Sequence, residues 1–149
     1  MVAYSFKPSF IADIQTRTKR QTIRLPRKRH ARQGEALQFF TGPRMKPVRI
    51  GAASCVAVRD VRLDFVADTV SLDDFEVIDA DDALDAFAVR DGFQLPERFA
   101  DAGVVLRPWT YMARWWRMTH PDQPVFRGIL IDWNDSFEAI QSVAKGQGK

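Results

Sequence analysis

Val48-Arg49-Ile50-Gly51-Ala52-Ala53-Ser54-Cys55-Val56-Ala57-Val58-Arg59-Asp60-Val61-Arg62-Leu63-Asp64-Phe65 is the stretch that decides the fold class. It is rich in β-branched residues and alternates over Cys55 to Leu63, which predicts one long strand or two short ones. Shorter strand signals lie on both sides of it. Val2 to Phe6 alternates, and Gln21 to Leu25 reads as extended, with Ile23 and Leu25 on one face and Thr22 and Arg24 on the other. Pro26 limits that strand. Gly34 to Phe40 follows a glycine turn and is closed by Gly42-Pro43. Val70 to Leu72, Phe75 to Ile78 and Val125 to Trp133 complete the set.

Helical spacing interrupts the strands. Phe10, Ile11 and Ile14 share a face in a segment that opens at Pro8-Ser9 and ends near Thr16 to Thr18. Ala80, Ala83, Leu84, Phe87 and Ala88 predict a helix from Asp79 to Phe87, with Asp79, Asp81 and Asp82 at the positive end of its dipole. Asp91-Gly92 ends it, with Gly92 suited to a left-handed cap. A short helix over Pro96 to Ala102 comes next, then one over Trp109 to Met118 with Pro108 at its first position and His120-Pro121 as its stop. Strands, then helices, then a returning strand predict an α+β domain. About six strands would close most economically into a small β-barrel flanked by three to four helices. One domain over residues 1–140 is expected, with a flexible tail over 141–149.

Composition narrows the chemistry. The 149 residues are 46% hydrophobic with eleven Phe and four Trp, enough for one real core. The single cysteine, Cys55, excludes an internal disulfide framework and reads as a buried thiol. There is no long apolar run and no apolar leader, so a soluble, cytoplasmic protein without membrane partners is expected. His30 and His120 with one cysteine give no zinc-ligand spacing, and Asp79-Asp81-Asp82-Asp85 reads as a helix start rather than a metal site. No Ser or Cys has a histidine placed for a triad. No metal and no cofactor are expected.

Charge is segregated. Residues 1–50 carry a balance of +10 and the remainder −7, giving +3 for the chain. The two halves either attract each other across the fold or build a basic face for an anionic partner. Seven of the twelve basic residues of the first half lie between Lys19 and Arg32 without an acid among them. That crowding favours a phosphate-bearing partner. Arg27, Lys28, Arg29 and Arg32, bracketed by Pro26 and Gly34, predict a loop that can follow a phosphate backbone without reading bases.

Lys19, with Arg17, Arg20 and Arg24 close in sequence, has the surroundings to lose its proton more easily than usual, and partial burial would push the same way. Such a lysine serves as a general base or nucleophile; otherwise it is a phosphate contact. Thr22 and Arg24, on one strand face, form a donor–acceptor pair for a ligand or an ordinary solvent-facing pair. The helix near the C-terminus carries two stripes: Trp109, Met112, Ala113 and Trp116, and Tyr111, Trp115 and Met118. One stripe must pack on the sheet. The other, centred on Trp115, would offer an aromatic surface to a base, a protein partner or a second copy of the chain.

Lys19-Arg20-Gln21-Thr22-Ile23-Arg24, Gly34-Glu35-Ala36-Leu37-Gln38-Phe39 and Ala88-Val89-Arg90-Asp91-Gly92-Phe93 together resemble the ASCH domains of the PUA-like superfamily. Members of that family typically carry a Lys-x-x-Thr-x-Arg segment, a Gly-Asp/Glu turn into a strand, and an acidic-Gly-Phe element after a helix. The resemblance runs from about Tyr4 to Trp133. It implies a β-barrel with a cleft between barrel and helices, lined by the lysine–threonine–arginine strand, and RNA-related roles. One bacterial member type removes the acetyl group from the exocyclic amine of cytidine with a lysine, a threonine and a glutamate; others are reported to cut single-stranded RNA. By position the lysine falls on Lys19, the threonine on Thr22 and the glutamate on Asp91, one methylene shorter.

The expectation is therefore a basic cleft for RNA, another single-stranded nucleic acid or a modified nucleoside. Arg20, Arg24, Arg27, Lys28, Arg29, Arg32 and Trp115 would contact it. The alternative is a metal-independent hydrolase, an acylated-cytidine amidohydrolase or single-stranded ribonuclease, using Lys19, Thr22, Asp91 and Arg24. A second alternative is a protein-interaction module or homodimer docking through the Trp109–Met118 helix.

Overall fold

A computed structural model of the chain describes residues 1–94 and 106–140. The long β-branched run divides into two strands. In chain order the elements are β1 (Val2–Phe6), a 3-10 turn (Pro8–Phe10), α1 (Ile11–Gln15), β2 (Gln21–Arg24), β3 (Ala36–Thr41), β4 (Val48–Ser54), β5 (Ala57–Asp64), β6 (Thr69–Leu72), β7 (Glu76–Ile78), α2 (Asp81–Arg90), α3 (Pro108–Thr119), β8 (Val125–Asp132) and β9 (Glu138–Ala139). The class is mixed α+β. The described residues form nine strands rather than about six, because the short pieces β6 and β7 pair fully and Glu138–Ala139 adds a two-residue edge strand. The predicted Pro96–Ala102 helix and the tail lie outside the described residues.

The strands make two sheets, ordered β1-β3-β4-β9 and β2-β8-β5-β6-β7. β1 runs parallel to β3, and the second sheet is antiparallel throughout. The chain passes between the sheets at Cys55-Val56: Cys55 N–H donates to Glu35 O (2.9 Å) beside β3, and Val56 N–H donates to Asp132 O (2.7 Å) on β8. One continuous run thus serves both sheets. The edge strands β1 and β2 also meet, where Arg24 Nη2 donates to Ser5 O at 2.7 Å.

The second sheet is covered on both faces. Ile23, Val61, Leu63, Phe126 and Leu130 pack against Leu84 and Phe87 of α2 and Trp109, Met112 and Trp116 of α3. Ile131 and Trp133 point the other way, into a core shared with Tyr4, Phe6, Leu37 and Phe39 of the first sheet. This double burial explains why Ile129-Leu130-Ile131 is an unbroken apolar run rather than an alternating one. Leu25, expected beside Ile23, lies past the end of β2 and is exposed. Cys55 is buried, and burial pushes its thiol pKa up.

The aromatic surface expected on α3 is not free. Trp109, Met112, Ala113 and Trp116 are buried, while Tyr111 and Trp115 pack partly buried against the same core. Of that second stripe only Met118 stands out in solvent. Trp115 is held by Phe93 (5.4 Å between ring centroids), Trp116 (5.5 Å) and Phe10 (5.9 Å). Its neighbours turn it inward.

Candidate functional site

The local structure around Lys19 is set by two chain ends that meet. α1 stops at Thr16, Arg17 turns in the left-handed region (φ 65°), and the N–H groups of Thr18 and Lys19 both donate to Asp13 O. Arg20 N–H then donates to Arg90 O at 2.8 Å, tying the start of β2 to the last turn of α2. That bond sets Lys19 beside Asp91. α2 ends in a Schellman motif: Gly92 N–H donates to Val89 O and Phe93 N–H to Ala88 O, with Gly92 at φ 99°. The left-handed cap read from Asp91-Gly92 is present, and it turns Phe93 into the core.

Lys19, Thr22, Arg24 and Asp91 line one cavity of about 280 Å³. Aromatic walls from Phe6, Phe10, Phe93, Trp115 and Phe126 surround these polar groups. Lys19 Nζ donates to the main-chain oxygen of Asp91, at the negative end of α2, and lies 4.7 Å from the centroid of the Phe10 ring. Thr22 and Arg24 share the strand face opposite Ile23, and Arg24 Nε donates to Thr22 Oγ1 at 3.0 Å. The Arg24 guanidinium lies over Phe6 (4.9 Å) and Tyr4 (5.3 Å). Gln21 Nε2 reaches Asp91 Oδ1 at 3.5 Å.

Electrostatics follow from burial. Lys19 is 3% exposed and Asp91 4%. Burial pushes the Lys19 ammonium down to about 8; Asp91 pulls it back, Arg24 adds to the fall, and Asp13 opposes it. Burial pushes the Asp91 carboxyl up to about 6, against the pull of Lys19, the Gln21 hydrogen bond and Arg24. Burial lowers Arg24 to about 10, which leaves it charged at neutral pH. The effect expected on Lys19 is present, but Arg17 and Arg20 are not its cause. Arg17 donates to Phe137 O, and Arg20 to Arg17 O and Asn134 Oδ1. Two buried groups titrating on either side of neutrality can exchange protons with a bound molecule.

The remaining expected contacts fall elsewhere. Arg20 does not line the cavity; its guanidinium braces the turns before β2 and after β8. Arg27, Lys28, Arg29 and Arg32 are exposed on the loop after β2, outside the cavity lining. Arg29 is committed to Glu35 (2.5 Å), and Arg27 donates to Arg29 O while lying 4.9 Å from the Tyr4 ring centroid. His30 anchors the loop between Tyr4 OH (2.9 Å) and Leu25 O (2.8 Å). Trp115 does line the cavity.

Lys7, Phe10, Phe93 and His120 also line it, and sequence reasoning missed them as site residues. Phe93 was within reach, since it follows the Asp91-Gly92 cap directly. Among the described residues no three His, Cys, Asp or Glu side chains gather to hold a metal. Asp81 and Asp85 of the acidic run instead pair with Arg107 at 3.3 and 3.0 Å. No helix among the described residues is long and apolar enough to cross a membrane. Comparison with protein-family models, curated proteins and solved structures finds no match for this chain.

Proposed function

We propose that this chain is an ASCH-like domain of the PUA-like superfamily that binds RNA or a modified nucleotide in the cavity beside β2. One observation carries the reading: Lys19, Thr22, Arg24 and Asp91, from two segments far apart in sequence, line a single aromatic-walled cavity. Aromatic walls suit a base, since every base has a face to stack. Charge supports the same partner. Among the described residues each ion pair lies within residues 1–50 or within the remainder, so contact pairing does not join the two halves. The basic half is left for an outside anion. The barrel reading is supported by the strand corner at Cys55-Val56, which carries one run from the first sheet into the second, and by the Arg24–Ser5 contact, which joins the edge strands β1 and β2.

The hydrolase reading is favoured by the placement of Lys19 and Asp91. In its neutral form Lys19 would take a proton from water or from the Thr22 hydroxyl. Attack on an acyl carbon would break the C–N bond, Asp91 would return the proton to the departing amine, Arg24 would stabilise the oxyanion, and by the Thr22 route a water deprotonated by Lys19 would then release the acyl group from Thr22. Asp91 meets Lys19 through its main-chain oxygen and holds its carboxyl toward Gln21, so this relay runs through the substrate or a water. The docking reading of α3 has no comparable support, because its tryptophans are used internally.

The test is a panel of single-stranded RNA, single-stranded DNA and acylated nucleosides, assayed for binding and turnover with Lys19→Ala as control. Binding is expected to weaken steeply with salt and to fall in the Arg27→Ala/Lys28→Ala/Arg29→Ala variant. Unchanged binding in that variant removes the loop from the strand-binding surface, and absence of binding to every member of the panel overturns the nucleic-acid reading. Hydrolysis that survives chelator and vanishes in Lys19→Ala establishes the enzyme.

A further inference from the structure

Two basic side chains of the cavity wall remain unexplained by the Lys19–Thr22–Arg24–Asp91 group. Lys7 follows β1 and is exposed; His120 caps α3 and is half-buried; both line the cavity. Among the described residues neither has a carboxylate within ion-pair distance. Lys7 Nζ finds only the face of Trp115, at 5.1 Å from its centroid. The His120 ring is stacked on Trp116 at 4.6 Å and lies 6.4 Å from Trp115. Both basic groups therefore border Trp115.

The histidine's proton inventory points the same way. Thr119 Oγ1 has one hydrogen, which it donates to Trp115 O at 2.9 Å, so it accepts from His120 Nδ1 at 2.9 Å. Nδ1 thus carries the proton of the neutral ring and Nε2 is bare, with no partner among the described residues. Nε2 becomes a donor when the ring takes a second proton. Burial and the Lys7 charge both disfavour that second proton, and Lys7 is the charged group that acts on the ring. An anion between Lys7 and His120 removes the repulsion and accepts from both. The two groups oppose each other until something negative joins them.

We propose that Lys7 and His120 form a phosphate subsite of the cavity, so that the ligand carries a phosphate next to the base held by the aromatic wall. The inference rests on reading the cavity as a nucleotide site, and it selects among the ligands that reading admits: a phosphorylated nucleotide, free or within a strand, over a free nucleoside. The polybasic loop is a separate surface, since it does not line the cavity.

The experiment measures affinity of the full chain for each ribonucleoside, its 5′-monophosphate and a short oligonucleotide of the same base. At least one monophosphate is expected to bind about tenfold more tightly than its nucleoside, as a charge-assisted hydrogen bond supplies. That ratio is expected to fall to about one in Lys7→Ala, an exposed position, and to fall from its natural value in His120→Gln as well. A gain confined to the oligonucleotide and lost in Lys7→Ala identifies a strand phosphodiester as the source. Nucleosides that bind with no phosphate gain, or a gain that survives Lys7→Ala, overturn the subsite and leave the base cavity standing. Absence of binding to every member of the panel overturns both.

Discussion

A Cβ placed on Gly92 would stand 2.8 Å from Lys19 Cδ and 2.8 Å from Phe10 Cδ1. The residue that terminates α2 is thus also the surface on which the Lys19 stem lies. Two demands meet at one position: a φ of 99°, which side chains disfavour, and room for a buried lysine. Gly92→Ala is expected to cost about 1–3 kcal/mol of stability through backbone strain. It should also displace Lys19 and weaken ligand binding in the fraction that remains folded. Urea unfolding and binding measured on the same preparation check this. Unchanged stability would mean that the cap relaxes freely.

Burial of Lys19 and Asp91 makes stability depend on pH with opposite signs. Lys19 falls from 10.5 to about 8, so between those values the unfolded chain binds more protons and stability rises with pH. Asp91 rises from 3.8 to about 6, so between those values the folded chain binds more protons and stability falls as pH rises. Both penalties are fully present between about pH 6 and 8. Lys19→Met is therefore expected to be more favourable, relative to the natural chain, at pH 7 than at pH 9.5, by an amount on the order of 1–3 kcal/mol. Chemical unfolding of both proteins at the two pH values measures the difference. An equal effect at both would show that Lys19 keeps its ordinary proton affinity in the fold.

The polar residues of the cavity were largely legible, and its surroundings were not. The spacing of Lys19, Thr22 and Arg24 puts the last two on one strand face, and Gly92 marks the helix end that receives Lys19. Strand period and cap chemistry are local, so they survive into the fold. Burial is not local. Lys19 stands among cations that suggest solvent, yet Arg20 N–H and Arg90 O carry it beneath Phe10. Lys7 and His120 gave no signal, because the end of β1 and the end of α3 bring them to one cavity from opposite ends of the chain. The second stripe of α3 reads as a free face by period alone, and only the packing of Phe10 and Phe93 shows that Trp115 is partly covered. β9 is two residues long, too short for any period.

The polybasic loop should not act as four equal charges. Arg29 is paired with Glu35, and Arg27 with a main-chain oxygen and the Tyr4 ring. Lys28 and Arg32 have no side-chain partner among the described residues. Lys28→Ala combined with Arg32→Ala is expected to reduce the salt dependence of single-stranded RNA binding by about 1.4 in the log–log slope, the release of two counterions. Arg29→Ala alone should change it less, since Glu35 already offsets that charge. Fluorescence titrations across a salt series check both, and a larger change from Arg29→Ala than from the double variant rejects this division of the loop.

Trp115 separates a stacking role from a packing role. Its ring lines the cavity and carries Lys7 on one face, while Phe10, Phe93 and Trp116 pack against it at steep interplanar angles. If a base stacks there, Trp115→Ala should cost about 1–3 kcal/mol of nucleotide affinity, and Trp115→Phe should retain most of it. A packing role alone predicts a different outcome: both variants lose stability in proportion to the volume removed, while affinity per folded molecule stays constant. Trp116→Phe supplies the comparison, since Trp116 is buried and stacked on Phe65 and His120. Thermal unfolding and titration of the three variants resolve the roles. Affinity that follows folded fraction in all three would remove Trp115 from the binding surface and leave the cavity's base contact to Phe10 and Phe93.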